Sequence, residues 1–351
     1  MSQISNNPYD IYLTSGQNTE KKHKIHRAEV TEPYKTIGSY QTPTGCMEKE
    51  IQIKNETIEK WGLPLQTSTV YPNLTYKAYE TILIPRIGFS LTNTTLTPKQ
   101  IKKLQIKADQ YYIPKLNISS KFPRTILRAS YSYGGFQQTT IQMTQIIKQI
   151  QMTLGCTRDD NDTSKILQCS IELTQLETGL TTPILSHSTS TDFLHYTTHT
   201  WTHSIKDSLT LINGSIQFTT HWHPKLQCLG DCSLMQQFLN HYPITYINKN
   251  GKTKKSKSNI NLIQILNRCR IFLQVITISD ITDLSGKKIT KNYTIGKQDP
   301  NRSSKWIWPN QNKIESKYWK IWKNTIQTIF LEKKHLNTSP TIRTTNNNTK
   351  R

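Results

Sequence analysis

Residues 122–145 read FPRTILRASYSYGGFQQTTIQMTQ. A Pro-Arg pair opens the stretch, a short apolar run follows, and Gly134-Gly135 supplies two positions that tolerate positive φ and a tight turn. Beyond the turn, Phe136, Ile141, Met143, Ile146, Ile147 and Ile150 recur at helical spacing and predict a broad buried helix face. The stretch therefore reads as a joint between helical modules, with Pro123 and the glycine pair setting the chain direction. Arg124 or Arg128 is expected to touch a phosphate in passing.

Towards the N-terminus, KIHRAEVTEPYKTIGSYQTPTG alternates polar and apolar residues before a Thr-Pro-Thr-Gly turn, a hairpin signature. Residues 1–24 are polar and weakly patterned. Met47, Ile51 and Ile58 predict a helix stopped by Gly62 and Pro64, and Leu74–Leu83 predicts another ending before Pro85. Thr97 is a good N-cap with Pro98 as first helical residue, opening a third helix through Ile101, Leu104, Ile106 and Tyr111. Three helices before residue 120 suggest an antiparallel bundle.

Towards the C-terminus, SKILQCSIELTQLETGL predicts a helix ending near Gly179, and residues 192–211 predict another. A turn and strand are expected in INGSIQFTTHWHP, then a basic hinge around KNGKTKKSKSN and a long apolar helix through QILNRCRIFLQ. The tail from 336 is polar and expected to be disordered. The fold class is mainly α with a small N-terminal β element. The expected divisions are a hairpin element 1–45, a helical bundle 46–120, a helical connection 121–248, a basic Trp-rich domain 249–335 and a tail 336–351.

The chain has 351 residues, 34% hydrophobic and 19% charged, enough for more than one core. Its 45 Lys and Arg against 23 Asp and Glu give a formal charge of +22, which points to polyanions, nucleic acid above all. From Lys249 onward there are 22 basic residues and five acids, so 22 − 5 = 17 of the excess charges lie in the last third. Six cysteines over this length do not make a secreted disulfide framework, no signal-like leader opens the chain, and no 18-residue apolar run occurs. The expectation is an intracellular protein without a membrane span, nucleus or cytoplasm unresolved.

In this order, the segments resemble the region that follows the polymerase palm in non-long-terminal-repeat retroelement reverse transcriptases of the divergent protist and algal type. EPYKTIGSYQTPTG resembles the post-palm strands, and CMEKE through KAYETILIPRIGFSL the thumb helices. FPRTILRASYSYGGFQ resembles the P-R-x-x-x-x-x-P-x-x-x-G-G-x-G joint, with Arg128-Ala129 standing where the family has Gly-Pro and Gln137 where it has its last glycine. QILNRCRIFLQVITISDITDLSGKKI resembles an N-x-x-R-x-x-L-x-V-x-x-x-x-D block, and WIWPNQ with YWKIWK the terminal W-P-x-Q and W-x-x-W block. The resemblance implies a thumb-like bundle, a helical C-terminal domain, a template–primer of RNA and/or DNA as ligand, and an upstream polymerase domain as partner.

The Tyr/Phe-x-Asp-Asp turn whose paired carboxylates hold catalytic metals does not occur. Asp159-Asp160 is the sole adjacent aspartate pair, and its polar setting reads as a helix-capping loop. No His-Glu-x-x-His, Gly-rich phosphate loop or nucleophile elbow occurs either. The expectation is a chain that is not an enzyme by itself: a non-catalytic part of a retroelement polymerase that binds nucleic acid, or a decaying element without a cellular role.

Lys252, Lys254, Lys255 and Lys257 form a cluster suited to phosphates. Lys305, Trp306, Trp308, Lys317, Lys320 and Lys323 interleave aromatic faces with cations, a pattern that stacks bases while holding the backbone. Trp319, Trp322 and Ile326 keep i, i+3, i+7 spacing, and for the two tryptophans a helix core stripe is the preferred reading. Arg268 and Arg270, two apart, cannot share a helix face; one is expected to face nucleic acid and the other to pair inside, with Asp280 and Asp283 as candidate partners. His221, His223, Cys228 and Cys232 offer tetrahedral zinc donors in an unfamiliar H-x-H-x4-C-x3-C order, so the alternative is a zinc-stabilised interaction module; otherwise no cofactor is expected. His195, His199 and His203, at fourfold spacing, read as a packed or surface stripe.

Overall fold

The computed structural model describes residues 12–14, 22–24, 29, 31–36, 38–159, 161–198, 200–218, 224–228, 230–248, 251–283, 288–298, 308 and 314–332. Across these the chain is mainly helical with little strand. It divides into two compact units, Met1–Thr144 and Gln145–Arg351. The expected divisions at 120/121 and 248/249 are not where the packing divides.

The first unit opens with two antiparallel hairpins, β1 (Tyr12–Thr14) with β2 (Lys22–Lys24) and β3 (Tyr34–Thr36) with β4 (Ser39–Gln41). Only the second was expected; Gly38, at φ +84, turns it. Four helices follow: α1 (Glu48–Thr67), α2 (Pro72–Ala78), α3 (Ile84–Leu91) and α4 (Pro98–Lys115). Their core gathers Ile58, Leu83, Ile87, Leu91, Leu104 and Ile113, with Tyr79 stacked on Tyr112 at 4.4 Å. A buried ionic cluster ties the hairpin to the helices. Glu50 accepts from the Tyr40 backbone N–H at 2.8 Å and pairs with Lys54 at 3.1 Å, and the Lys54 ammonium donates to the Ile87 carbonyl at 2.9 Å. Burial lowers the Lys54 pKa despite Glu50.

The expected helix stops at Gly62, Pro64 and Pro85 are not stops. α1 runs on through Gly62 and Pro64, and Gly62 is a contact residue: a Cβ there would lie 2.3 Å from the Tyr111 ring of α4. Between α2 and α3 the chain makes a π turn over Tyr79–Leu83, so Pro85 begins a new hydrogen-bonding register and its missing N–H leaves no gap in the α pattern. Thr97 caps α4 as expected, with Gln100 completing the box at 2.8 Å.

The joint closes this unit. α5 (Arg124–Arg128) is followed by a single 3-10 turn, Tyr131–Tyr133, and by Gly134 at φ +72. A Cβ on Gly135 would fall 2.1 Å from the Ala129 carbonyl oxygen, so this position must be glycine. The chain then returns along α5, with Gln137 N–H on the Ala129 carbonyl at 2.8 Å and Gln138 N–H on the Leu127 carbonyl at 2.9 Å. Asp109 of α4 anchors it. Its carboxyl is buried, accepts from Gln105 Nε2 at 2.7 Å, and lies 3.5 Å from Arg124 Nε and 3.7 Å from Arg128 Nη2. Burial raises the Asp109 pKa, outweighing Gln105, the two arginines at these long distances, and Gln138. α6 (Ile141–Arg158) begins with its first N–H held by Gln105 Oε1 at 2.9 Å.

The second unit contains α7 (Asp162–Thr178), α8 (Trp201–Leu211), α9 (Leu234–His241), the hairpin β5 (Thr245–Ile247) with β6 (Thr253–Lys255), α10 (Lys257–Leu273), the short α11 (Ile278–Ile281) and α12 (Lys291–Thr294), and α13 (Ser316–Glu332). One hydrophobic core joins Leu167 and Ile171 of α7, Phe238 of α9, Ile263 and Leu266 of α10 and Trp322 and Ile326 of α13, so the expected connection and Trp-rich domains share a single interior. The α6 face is narrower than its apolar spacing predicts. Met143 and Ile147 are exposed, and Gln149 is buried, donating to Ser204 at 3.0 Å and accepting from Ser208 at 3.2 Å. Residues 192–211 are not one helix, since a 3-10 segment Thr191–His195 is separated from α8. His195 and His203 therefore do not share a helix face, and His199 is outside the described residues.

Two outcomes test this packing. Gly62→Val should lower stability by about 1–3 kcal/mol through overpacking against Tyr111, while Gly155→Ala, with open space around its Cβ, should add up to about 1 kcal/mol of helix propensity; thermal melts read both. The folded Asp109 carboxyl holds its proton above the pH at which the unfolded chain has released it. Relative to Asp109→Asn, wild-type stability should thus fall as pH rises from the ordinary carboxylate value of about 3.8 through the raised folded value, measured as melting midpoint against pH.

Candidate nucleic-acid interface

The basic run expected as a hinge is a formed hairpin. Gly251, at φ +70, turns it, and Asn248 closes it by accepting from Lys252 N–H through its side chain at 2.8 Å and donating its own N–H to the Lys252 carbonyl at 3.0 Å. Thr245 pairs with Lys255, Tyr246 with Lys254 and Ile247 with Thr253, and all six strand residues are exposed. The ribbon is rooted at its open end: Ser256 donates its N–H to the Ile244 carbonyl at 2.8 Å and caps α10 by accepting from Asn259 N–H at 3.3 Å. Asn259 in turn donates to the Pro243 carbonyl at 2.8 Å. Lys252, Lys254, Lys255 and Lys257 are thereby gathered on the hairpin and the first residue of α10, every one exposed. No Asp or Glu occurs between Asp231 and Asp280, so the local charge in sequence is unopposed.

Arg268 and Arg270 divide as their spacing requires. Arg268 is exposed. Arg270 is fully buried and leaves the expected phosphate-binding set: its guanidinium donates to Asn267 Oδ1 at 2.9 Å and to the carbonyls of Leu176 at 2.6 Å, Glu177 at 2.9 Å and Val275 at 3.1 Å. Burial lowers its pKa to about 10, so it remains a cation at neutral pH. Gly179, the left-handed C-cap of α7 at φ +64, admits it, since a Cβ there would lie 2.6 Å from the guanidinium carbon. Asp280 is committed to the α11 cap, accepting from the N–H groups of Ile276 at 2.7 Å and Thr277 at 2.9 Å.

The aromatic segment divides too. Trp322 is buried in the core, donating its indole N–H to the Tyr293 carbonyl at 2.9 Å, and Trp319 packs edge-on against Phe272 at 5.6 Å. This is the core stripe that their spacing allowed. Trp308 is half-buried with the Arg270 guanidinium 5.8 Å from its ring, whereas Lys305 and Trp306 are outside the described residues. Lys317, Lys320 and Lys323 are exposed on α13, with Lys317 held 2.5 Å from Glu315.

Of the four zinc donors, His221 and His223 are outside the described residues. Cys228 Sγ is 3.3 Å from Ser279 Oγ, and the loop between the cysteines is organised by Asp231, whose carboxylate accepts from the N–H groups of Gln227 and Cys232 at 2.9 Å and of Ser279 at 3.1 Å. Sequence reading missed Asp231, although an aspartate in a Gly-Asp turn is a common loop organiser. Among the described residues no three His, Cys, Asp or Glu side chains converge as a metal cage, and no helix is long and apolar enough to cross a membrane. Asp159 follows Arg158, the last residue of α6, and Asn161 caps α7 by accepting from Ser164 N–H at 2.9 Å. The first unit holds an open cleft of about 860 Å³ lined by Ile101, Lys102, Asp109, Ile113, Arg124 and Arg128, where both arginines turn inward to Asp109.

No family model, curated protein or solved structure matches this chain.

Arg270→Met should leave the Leu176, Glu177 and Val275 carbonyls without their donor and cost more than about 3 kcal/mol, at roughly 1–3 kcal/mol for each buried group stranded. Arg268→Met, at an exposed position, should change stability by less than about 0.5 kcal/mol, and denaturant midpoints compare the two.

Proposed function

We propose that the chain is a non-catalytic nucleic-acid-holding element, of the kind that follows the palm in non-long-terminal-repeat reverse transcriptases, and that it grips RNA or DNA backbone through its second unit. The observation that carries this reading is the exposed, rooted hairpin that displays Lys252, Lys254 and Lys255 and runs straight into Lys257 at the start of α10. Ammonium groups on a fixed ribbon displace counterions from phosphates without reading bases. Exposed Arg268 and the α13 lysines 317, 320 and 323 extend the basic surface of the same unit.

One backbone angle in the joint supports the resemblance to that polymerase region. Gln137 has φ +51, the left-handed region in which glycine is favoured, at the position where the family pattern carries glycine. The absence of the Asp-Asp polymerase motif from the sequence makes binding, and not nucleotidyl transfer, the activity to test.

Binding to labelled single-stranded RNA, duplex DNA and an RNA–DNA hybrid across a salt series tests the reading. Affinity should fall steeply with salt, and changing Lys252, Lys254, Lys255 and Lys257 to Gln should flatten the log–log slope by roughly 0.7–0.9 per lysine in phosphate contact. Salt-insensitive binding, or none at low salt by folded protein, would remove the proposal.

A further inference from the structure

The β5–β6 hairpin carries more than charge. Among the described residues it is a two-stranded sheet with no third strand beside it, and burial cannot be what selects its side chains, because none of its six strand residues is buried. Two of them are nevertheless large and apolar: Tyr246 is 48% exposed and Ile247 74% exposed. The register sets Tyr246 directly across from Lys254, and cross-strand partners project from the same face of an antiparallel pair with Cβ atoms about 5 Å apart. Lys252 directly precedes β6, at the turn that Asn248 closes. Ile247 takes the opposite face with Thr245, Thr253 and Lys255.

We infer that the hairpin is a stacking platform for an unpaired polynucleotide strand, with Tyr246 presenting its ring to a base while Lys254 on the same face and Lys252 at the adjoining turn hold the flanking phosphates. The inference rests on the nucleic-acid reading above and names the form of nucleic acid that this ribbon takes. A duplex hides its base faces and offers phosphates and groove edges, which would use the lysines and leave an exposed ring idle. An unpaired strand offers a flat π surface beside each phosphate, matching a ring placed opposite an ammonium group. The acid-free sequence from Cys232 to Ser279 fits the same anionic occupant. Ring stacking is tolerant of base identity, so RNA and DNA single strands share the chemistry and the 2′-hydroxyl is not required.

The test uses the full chain and three variants, Tyr246→Ala, Tyr246→Phe and Lys252→Gln/Lys254→Gln, each titrated with a single-stranded RNA, a single-stranded DNA and a duplex of matched length at one salt concentration and then across a salt series. Thermal melts confirm that each exposed-site variant keeps the parent fold. Tyr246→Ala should weaken both single strands roughly 5- to 150-fold, leave duplex affinity within about twofold and leave the salt slope unchanged, while Tyr246→Phe keeps the single-strand affinity. The lysine pair should weaken every ligand and flatten every slope. Loss on single strand and duplex alike after Tyr246→Ala, or no loss on either, with the lysine effect intact, would overturn the stacking platform and leave the phosphate grip standing. Absence of binding by the parent chain would overturn both.

Discussion

The buried guanidinium of Arg270 is the interaction on which the second unit depends. A helix leaves its last carbonyls without partners, and α7 ends in the interior, where unmet acceptors are costly. Arg270 answers two of them, Leu176 and Glu177, and also the carbonyl of Val275 just past its own helix. One planar cation thus welds the end of α7 to the end of α10. The glycine at 179 permits both the left-handed exit of α7 and the close approach of the guanidinium. Neither residue tolerates a substitute without the other losing its purpose.

That weld has a consequence at the far end of α10. The helix is fixed at Arg270, packed along its length through Ile263 and Leu266, and capped at Ser256, whose backbone also closes the hairpin. The lysine ribbon is therefore an extension of a rigid element and not a loop tethered to one. Its cations are displayed at fixed spacing, so under the proposed function less ordering entropy would be lost on meeting a row of phosphates. The first unit uses a related device: the buried Asp109 carboxyl holds the turn after α5 against α4, and the neighbouring Gln105 holds the first N–H of α6.

The helical class, the Thr97-Pro98 start, the Gly179 stop and the core stripe of Trp322 and Ile326 were legible because each rests on local chemistry or on a simple period. Three features were not. Gly62, Pro64 and Pro85 look like terminators until the tight packing of Tyr111 and the π turn are known, and both are tertiary facts. The hairpin at 245–255 was hidden because lysine and asparagine are poor strand formers; its register comes from Asn248, Gly251 and the anchoring at Ile244. Arg270 was legible as one of two arginines on opposite faces, yet its partners are main-chain carbonyls from a helix about 90 residues earlier, and no side-chain pattern announces a carbonyl. Tyr246, too, was passed over, because its significance lies in standing across from Lys254.

The π turn over Tyr79–Leu83 bears on how this chain can change length. A π turn is an α-helical turn widened by one residue, and the residues on either side of it keep their faces because the extra one is taken up locally. Elsewhere in these helices an inserted or deleted residue would swing everything beyond it by about 100° and carry the buried side chains of Leu83, Ile87 and Leu91 out of the core. The segment before Pro85 is thus where the first unit can gain or shed a residue and still present the same face to its interior.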